Sequence, residues 1–228
     1  MKDRFLKVLR MMLGFAIIGC STMISKQSGS LSSWNVLNDG LANVLPITIG
    51  QANTLVGIII IVIDIIARES LGIGTVLNAI FIGMFSDIFI NINNALGIIP
   101  KVNQPLLQLP LCFLAIIVGG FGVYLYMSAQ MGSGPRDSLM LALTKRVPFQ
   151  VGYCRMALEA AAFLVGVLLG GEFGLGTFIA VLSGGPCIQK ISKIAGFDMK
   201  KIHNESFVET YDFIKSWITN RKNTSRSA

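Results

Sequence analysis

Gly72-Ile73-Gly74-Thr75 returns as Gly174-Leu175-Gly176-Thr177, 102 residues further on. The same shift, without a gap, carries Pro46 onto Pro148, Gly50 onto Gly152 and Gly83 onto Gly185. Four of the six glycines in 34–87 meet a glycine in 136–189, where chance would align about one. Identity elsewhere is low, so the shared residues are those that shape backbone rather than the apolar filler. A shift of 103 pairs Gly19 with Gly122, Ser25 with Ser128, Gln27 with Gln130, Gly29 with Gly132 and Ser30 with Ser133. One extra residue near Ser33 reconciles the two shifts. The chain reads as one unit written twice, repeat one about 9–90 and repeat two about 110–192, a common construction for membrane transporters.

Composition agrees. Hydrophobic residues make up 53% and charged residues only 14%, against about a quarter charged in soluble domains. Several apolar runs approach the roughly 20 helical residues that cross a 30 Å hydrocarbon core. The net charge of +7 does not point to nucleic acid, because the basic residues cluster at the ends of apolar runs. Cys20, Cys112, Cys154 and Cys187 lie in or beside those runs without C-x-x-C spacing, and His203 is the single histidine. No metal or cofactor site is expected. Lys2, Arg4, Lys7 and Arg10 precede an apolar stretch like a leader, and Ile17-Ile18-Gly19-Cys20-Ser21 resembles a lipobox. The repeat mate of that stretch argues against its removal.

The periodicity predicts an all-α polytopic membrane protein with six transmembrane helices at about Leu9–Ser25, Gly50–Ala67, Thr75–Phe89, Pro110–Ser128, Val151–Leu169 and Thr177–Ile191. With a cytoplasmic N-terminus, 17 Lys and Arg fall inside and only Lys26 and Lys101 outside, which puts both termini in the cytoplasm. Three helices is an odd number, so the second unit enters the membrane upside down: two inverted three-helix repeats. The transmembrane domain spans 1–192. The tail, 193–228, is cytoplasmic; Phe207, Tyr211, Ile214 and Ile218, with Trp217 adjacent, predict an amphipathic helix near Lys200, Lys201 and Lys215. Residues 223–228 read as disordered.

Two segments are too apolar for loops and too short to span: 33–46 and 134–148, each closed by a proline, Pro46 and Pro148. They read as short re-entrant or interfacial helices. Pro135 and Asp137 suit the first turn of the second. The turns Gly72, Gly74, Thr75 and Gly174, Gly176, Thr177 read as structural, with glycine for close approach and threonine for capping. A helix N-terminus aimed at an anion is the alternative.

Ionisable groups within the membrane are functional candidates. Arg155 and Glu159 share one face of the fifth helix at i, i+4 and can pair. Glu159 lies about 12 Å deep. Arg136, Asp137, Asn53 and Asp87 complete the substrate or ion-binding candidates. Asn53 is the repeat mate of Arg155, and interhelical hydrogen bonding is its plainer explanation. Asp64, four residues before Arg68, is expected to pair with it near the cytoplasmic surface.

Gly132-Ser133-Gly134-Pro135-Arg136-Asp137, Gly152, Arg155, Glu159, Gly170-Gly171, Gly174-Leu175-Gly176-Thr177 and Gly185-Pro186 resemble the bacterial YczE/YitT-like integral membrane proteins. The first unit joins with Asp39-Gly40-Leu41, Gly50, Gly72 to Asn78, Gly83 and Asp87, though Leu31 to Asn35 replaces the Gly-Pro-Trp-Asp-like turn typical there. The resemblance implies a multi-spanning protein of the bacterial plasma membrane and names no substrate.

The expectation is a transporter of a small solute or ion, embedded in the lipid bilayer. The alternatives are a non-transporting accessory or scaffold bound to a membrane-protein partner, and the substrate-binding subunit of a larger importer. No Walker-type loop, Ser/His pair, paired-aspartate motif or His-Glu-x-x-His motif is present, so no enzyme is expected.

Overall fold

The structure, a computed structural model, describes residues 2–102, 104–149, 151–197, 205–212 and 215–216. Among them the chain forms no strand and the helices α1 (Lys2–Gln27), α2 (Ser33–Val44), α3 (Ile49–Ile66), α4 (Ile73–Leu96), α5 (Pro105–Ser128), α6 (Pro135–Thr144), α7 (Val151–Leu168) and α8 (Leu175–Ile194), with a further helical stretch over 207–212. Among the described residues, four helices are long and apolar enough to cross a membrane: α1, α3, α4 and α5. The fold is therefore all-helical and membrane-compatible.

Local chemistry sets the boundaries. Ser32 and Gly134, both extended, precede α2 and α6, and Pro135 occupies the first turn of α6, where its missing N–H costs nothing. At 12 and 10 residues, these helices are about 18 and 15 Å long. Thr48 caps α3 by accepting the Gln51 amide at 3.1 Å. α1, α4, α5 and α8 prove longer than expected. α1 starts at Lys2 rather than Leu9. α4 runs to Leu96 rather than Phe89, because its asparagines do not break it: the Asn93 amide clasps the Ile99 backbone from both sides, at 2.8 and 3.0 Å, and Gly97 ends the helix at φ 63°. Pro110 lies inside α5, which opens at Pro105 instead.

Small residues let the helices touch. α1 packs on α5 through Gly14 and Gly122; a Cβ on Gly14 would stand 2.7 Å from the Gly122 carbonyl. Phe15, Met11, Tyr126, Ala129 and Met131 form the core beside that contact. α3 packs on α4 through Gly50 and Gly83. α2 lies on α7, where Gly40 meets Gly166. α8 lies on α5, and α6 bridges α3 and α7. The Gly-x-Gly-Thr turns serve close approach: the Gly74 amide donates to the Met131 carbonyl at 2.8 Å, and Gly176 abuts Ser30 and Cys112. Thr75 and Thr177 accept the Gly72 and Gly174 amides.

Asp64 and Arg68 do not pair. Arg68 turns left-handed at φ 59°, which breaks the i, i+4 register, and Asp64 is fully buried with neither carboxylate oxygen bonded among the described residues. In the tail, Glu205 pairs with Arg4 at 2.5 Å, and the Glu205 and Phe207 amides donate to Gln130 and Leu71. The terminal segments thus meet at one end of the bundle. Phe207 and Tyr211 are exposed. His203, Lys200, Lys201, Ile214, Trp217, Ile218 and 223–228 lie outside the described residues.

Candidate functional site

Gly50, in the first turn of α3, packs against Gly83 and Asp87 of α4. Asn53, one turn further, is buried. There it borders a cavity of about 930 Å³ whose walls come from all of α1 to α8.

The two short helices aim their first turns at this cavity. Trp34, on α2, carries the Arg136 guanidinium of α6 over its ring, 4.8 Å from the centroid. That is a cation–π contact. Arg136 Nη2 also donates to Asn53 Oδ1 at 2.7 Å, and Asn38 Nδ2 donates to the same oxygen at 3.2 Å. Asn53 Nδ2 completes the set on the Ala79 carbonyl at 3.5 Å. The amide of Asn53 is thereby fixed with its oxygen toward α6. Beside it, Tyr126 Oη donates to Asp137 Oδ2 at 3.1 Å, and the Ser133 and Ser138 hydroxyls hydrogen-bond to each other at 2.7 Å. Gly134 leaves the space between Tyr126, Asp137 and Asn78 open; a Cβ there would lie 3.3–3.5 Å from all three.

Arg155 and Glu159 line the same cavity from α7. They do not pair: no N···O approach within 4.0 Å joins them. Arginine placed before glutamate is the weaker order for an i, i+4 pair. Glu159 instead acts on Arg136 electrostatically, alongside Asp137. Arg155, Glu159, Arg136, Asp137 and Asn53 thus share one cavity. Asp87 does not border it. Its carboxylate accepts the Thr48 hydroxyl at 2.5 Å and the Gly50 amide at 2.8 Å, holding the start of α3.

Trp34, Asn38 and Tyr126 were not singled out by sequence. One signal existed for Trp34, which the 102-residue shift makes the mate of Arg136. A separate polar cluster closes the end of the bundle away from Arg4. Asp39, 4% exposed, pairs with Lys26 at 2.6 Å and accepts the Glu172 amide at 2.8 Å; Lys101 pairs with Glu172.

α7 and α8 behave unlike their repeat mates α3 and α4. Added Cβ atoms at Gly184 and Gly185 would meet nothing within 4 Å, whereas one on Gly83 would stand 2.3 Å from the Gly50 carbonyl. The rings of Phe163 and Phe178 meet edge-on, 5.7 Å apart, and below them the seam is open to the cavity.

A family of proteins of unknown function, DUF6198, matches residues 5–193. The chain belongs to this family. An uncharacterised protein of Haemophilus influenzae is 31% identical to the chain over 188 residues, covering 81% of each. The uncharacterised membrane protein YczE of Bacillus subtilis is 30% identical over 168 residues, 73% of this chain and 75% of its own. YyaS of the same organism is 23% identical over 177 residues, 76% of this chain and 86% of its own. No solved structure matches. This DUF6198 member is an integral membrane protein: its apolar helices and its likeness to YczE agree.

Proposed function

We propose that the protein carries a small solute or ion across the bacterial plasma membrane through the central cavity. The observation that carries the reading is the cavity itself. It holds two arginines and two carboxylates inside an apolar bundle, and two of the four, Arg155 and Glu159, have no ion-pair or hydrogen-bond partner among the described residues. Ionisable groups lining a cavity among membrane-spanning helices mark solute or ion paths.

The packing supports two three-helix units of opposite orientation, with α7 and α8 as the fifth and sixth spans. Exchanging the units turns the α2–α7 contact into α6–α3, α1–α4 into α5–α8, and α2–α3 into α6–α7, and each of these contacts occurs. Trp34 and Arg136 are then symmetry mates in contact, the arrangement in which paired short helices bound a site near the midplane. Basic residues concentrated inside favour cytoplasmic termini, and the Arg4–Glu205 pair brings the terminal segments to one end. The closed α3–α4 contact and open α7–α8 seam fit one half of an alternating-access cycle, open toward the cytoplasm.

Flux into proteoliposomes tests this. Uptake of a labelled solute from a broad panel is expected, with Glu159→Gln and Arg155→Gln each lowering it at least tenfold at unchanged helical content. Absence of flux for the whole panel, with and without a proton gradient, refutes it. Tight co-purification of a membrane partner that survives Glu159→Gln would favour an accessory role.

A further inference from the structure

We propose that the solute is a small zwitterion with an apolar body, of the amino-acid class, whose carboxylate binds Arg155 and whose ammonium binds Glu159; this rests on the transport reading above.

Among the described residues, five charged side chains reach the cavity: Arg136, Asp137, Arg155, Glu159 and Lys193. Lys193 stands at the mouth, on the last turn of α8. Arg136 is committed to Asn53 and to the Trp34 ring. Asp137 is committed to Tyr126. Arg155 and Glu159 remain, of opposite sign, on one face of α7, with no bond to each other or to any other described side chain. Their Cβ atoms are about 5–6 Å apart, and the charged atoms stay more than 4.0 Å from one another. A head group with both charges fits that gap and satisfies both residues. A pure anion would leave Glu159 facing it, and a pure cation would leave Arg155. Arginine suits a carboxylate because its two parallel N–H groups match the two oxygens. The cavity wall also includes Ile18, Ile82, Val123 and Met156, which suits an apolar side chain. A volume of about 930 Å³ is ample for such a solute within the usual pocket range of about 300–1,000 Å³.

Calorimetry and flux with the full-length protein, using the apolar α-amino acids as probes, test the assignment. At least one should bind, and its decarboxylated amine and its deaminated acid should each bind at least tenfold more weakly, because each leaves one wall charge unmatched. Glu159→Gln should abolish the preference over the deaminated acid, and Arg155→Gln the preference over the amine. That crossed pattern is not expected of residues that only support the fold. The wild-type comparison stands alone should either variant fail to fold. A singly charged analogue that binds and is carried as well as its parent overturns the zwitterion assignment while leaving transport intact. Flux of some other solute, with no amino acid bound, does the same. No binding and no flux for any probe overturns both. Equal loss of all three ligands in both variants overturns the roles given to Arg155 and Glu159.

Discussion

Arg136 can reside inside the bundle because its guanidinium is occupied on both edge and face. The edge donates to Asn53 and the face lies on Trp34. Insertion scales set about 2.5–3.5 kcal/mol against an arginine at a helix centre, so these contacts decide whether α6 stays docked. A double-mutant cycle on Arg136→Ala and Asn53→Ala should return a coupling of about 1–2 kcal/mol, above the ~0.6 kcal/mol average for neutral interhelical bonds, because one partner is charged. Arg136→Lys should not restore it, since an ammonium lacks the flat face that stacks on the indole. Reversible unfolding in mixed micelles reads both. Asp87 makes the contrasting case. Its carboxylate holds the Thr48 hydroxyl and the Gly50 amide, so Asp87→Ala should cost about 1–3 kcal/mol of stability. Flux per folded molecule should be unchanged; a loss of flux at full stability would restore Asp87 to the transport path.

At the scale of elements, two equivalent glycines should behave oppositely. Gly83→Ala forces a methyl to within 2.3 Å of the Gly50 carbonyl and should destabilise by about 1–3 kcal/mol, the range for overpacking. Gly185→Ala meets open space, so folding should change by no more than about 0.5 kcal/mol. If the α7–α8 seam must close as α3–α4 is closed, Gly185→Ala folds normally and loses most of its flux; full flux would show that the seam never closes. Much of this was legible in the chain. Pro46, Pro135 and Pro148 bracket α2 and α6, and proline and serine act locally, so both short helices could be placed before any contact was known. Arg136, Asp137, Arg155, Glu159 and Asn53 stood out because polar groups are rare in apolar sequence. Side-chain contacts between helices did not. Nothing local marks Trp34 as the seat for Arg136, Asn38 as a donor to Asn53, or Tyr126 as the partner of Asp137. The reach of α1 back to Lys2 and of α4 to Leu96 likewise follows from contacts made after folding, the Arg4–Glu205 pair and the Asn93 clasp.

Across the whole molecule the two ends differ. Away from Arg4, one network joins the end of α1, the side of α2 and the α7–α8 turn: Lys26 with Asp39, Asp39 with the Glu172 amide, Lys101 with Glu172, and Asn43 with the Gly170 carbonyl. Toward the other end the seam between α7 and α8 lies open beside Gly184 and Gly185. On the transport reading proposed above, the site would be exposed on one side only, and this network would hold the far side shut. Asp39 is 4% exposed; an asparagine there loses the charge that holds Lys26, and its single carbonyl oxygen cannot serve both Lys26 and the Glu172 amide. Breaking a buried pair from one side typically costs about 3–5 kcal/mol, enough to shift a closed-to-open ratio by two to three powers of ten where the cost falls only on the closed form. Ser25 lines the cavity one residue before Lys26 and reports on this. In a background without Cys20, Cys112, Cys154 and Cys187, a cysteine substituted for Ser25 should resist a membrane-impermeant thiol reagent added outside intact cells. Adding Asp39→Asn should make it react at least tenfold faster, while Lys101→Ala, at a half-exposed pair, should change the rate little. Equal labelling with and without Asp39 would mean that the far end is shut by helix packing alone, and that the ionic network is an ornament of the closed form rather than its latch.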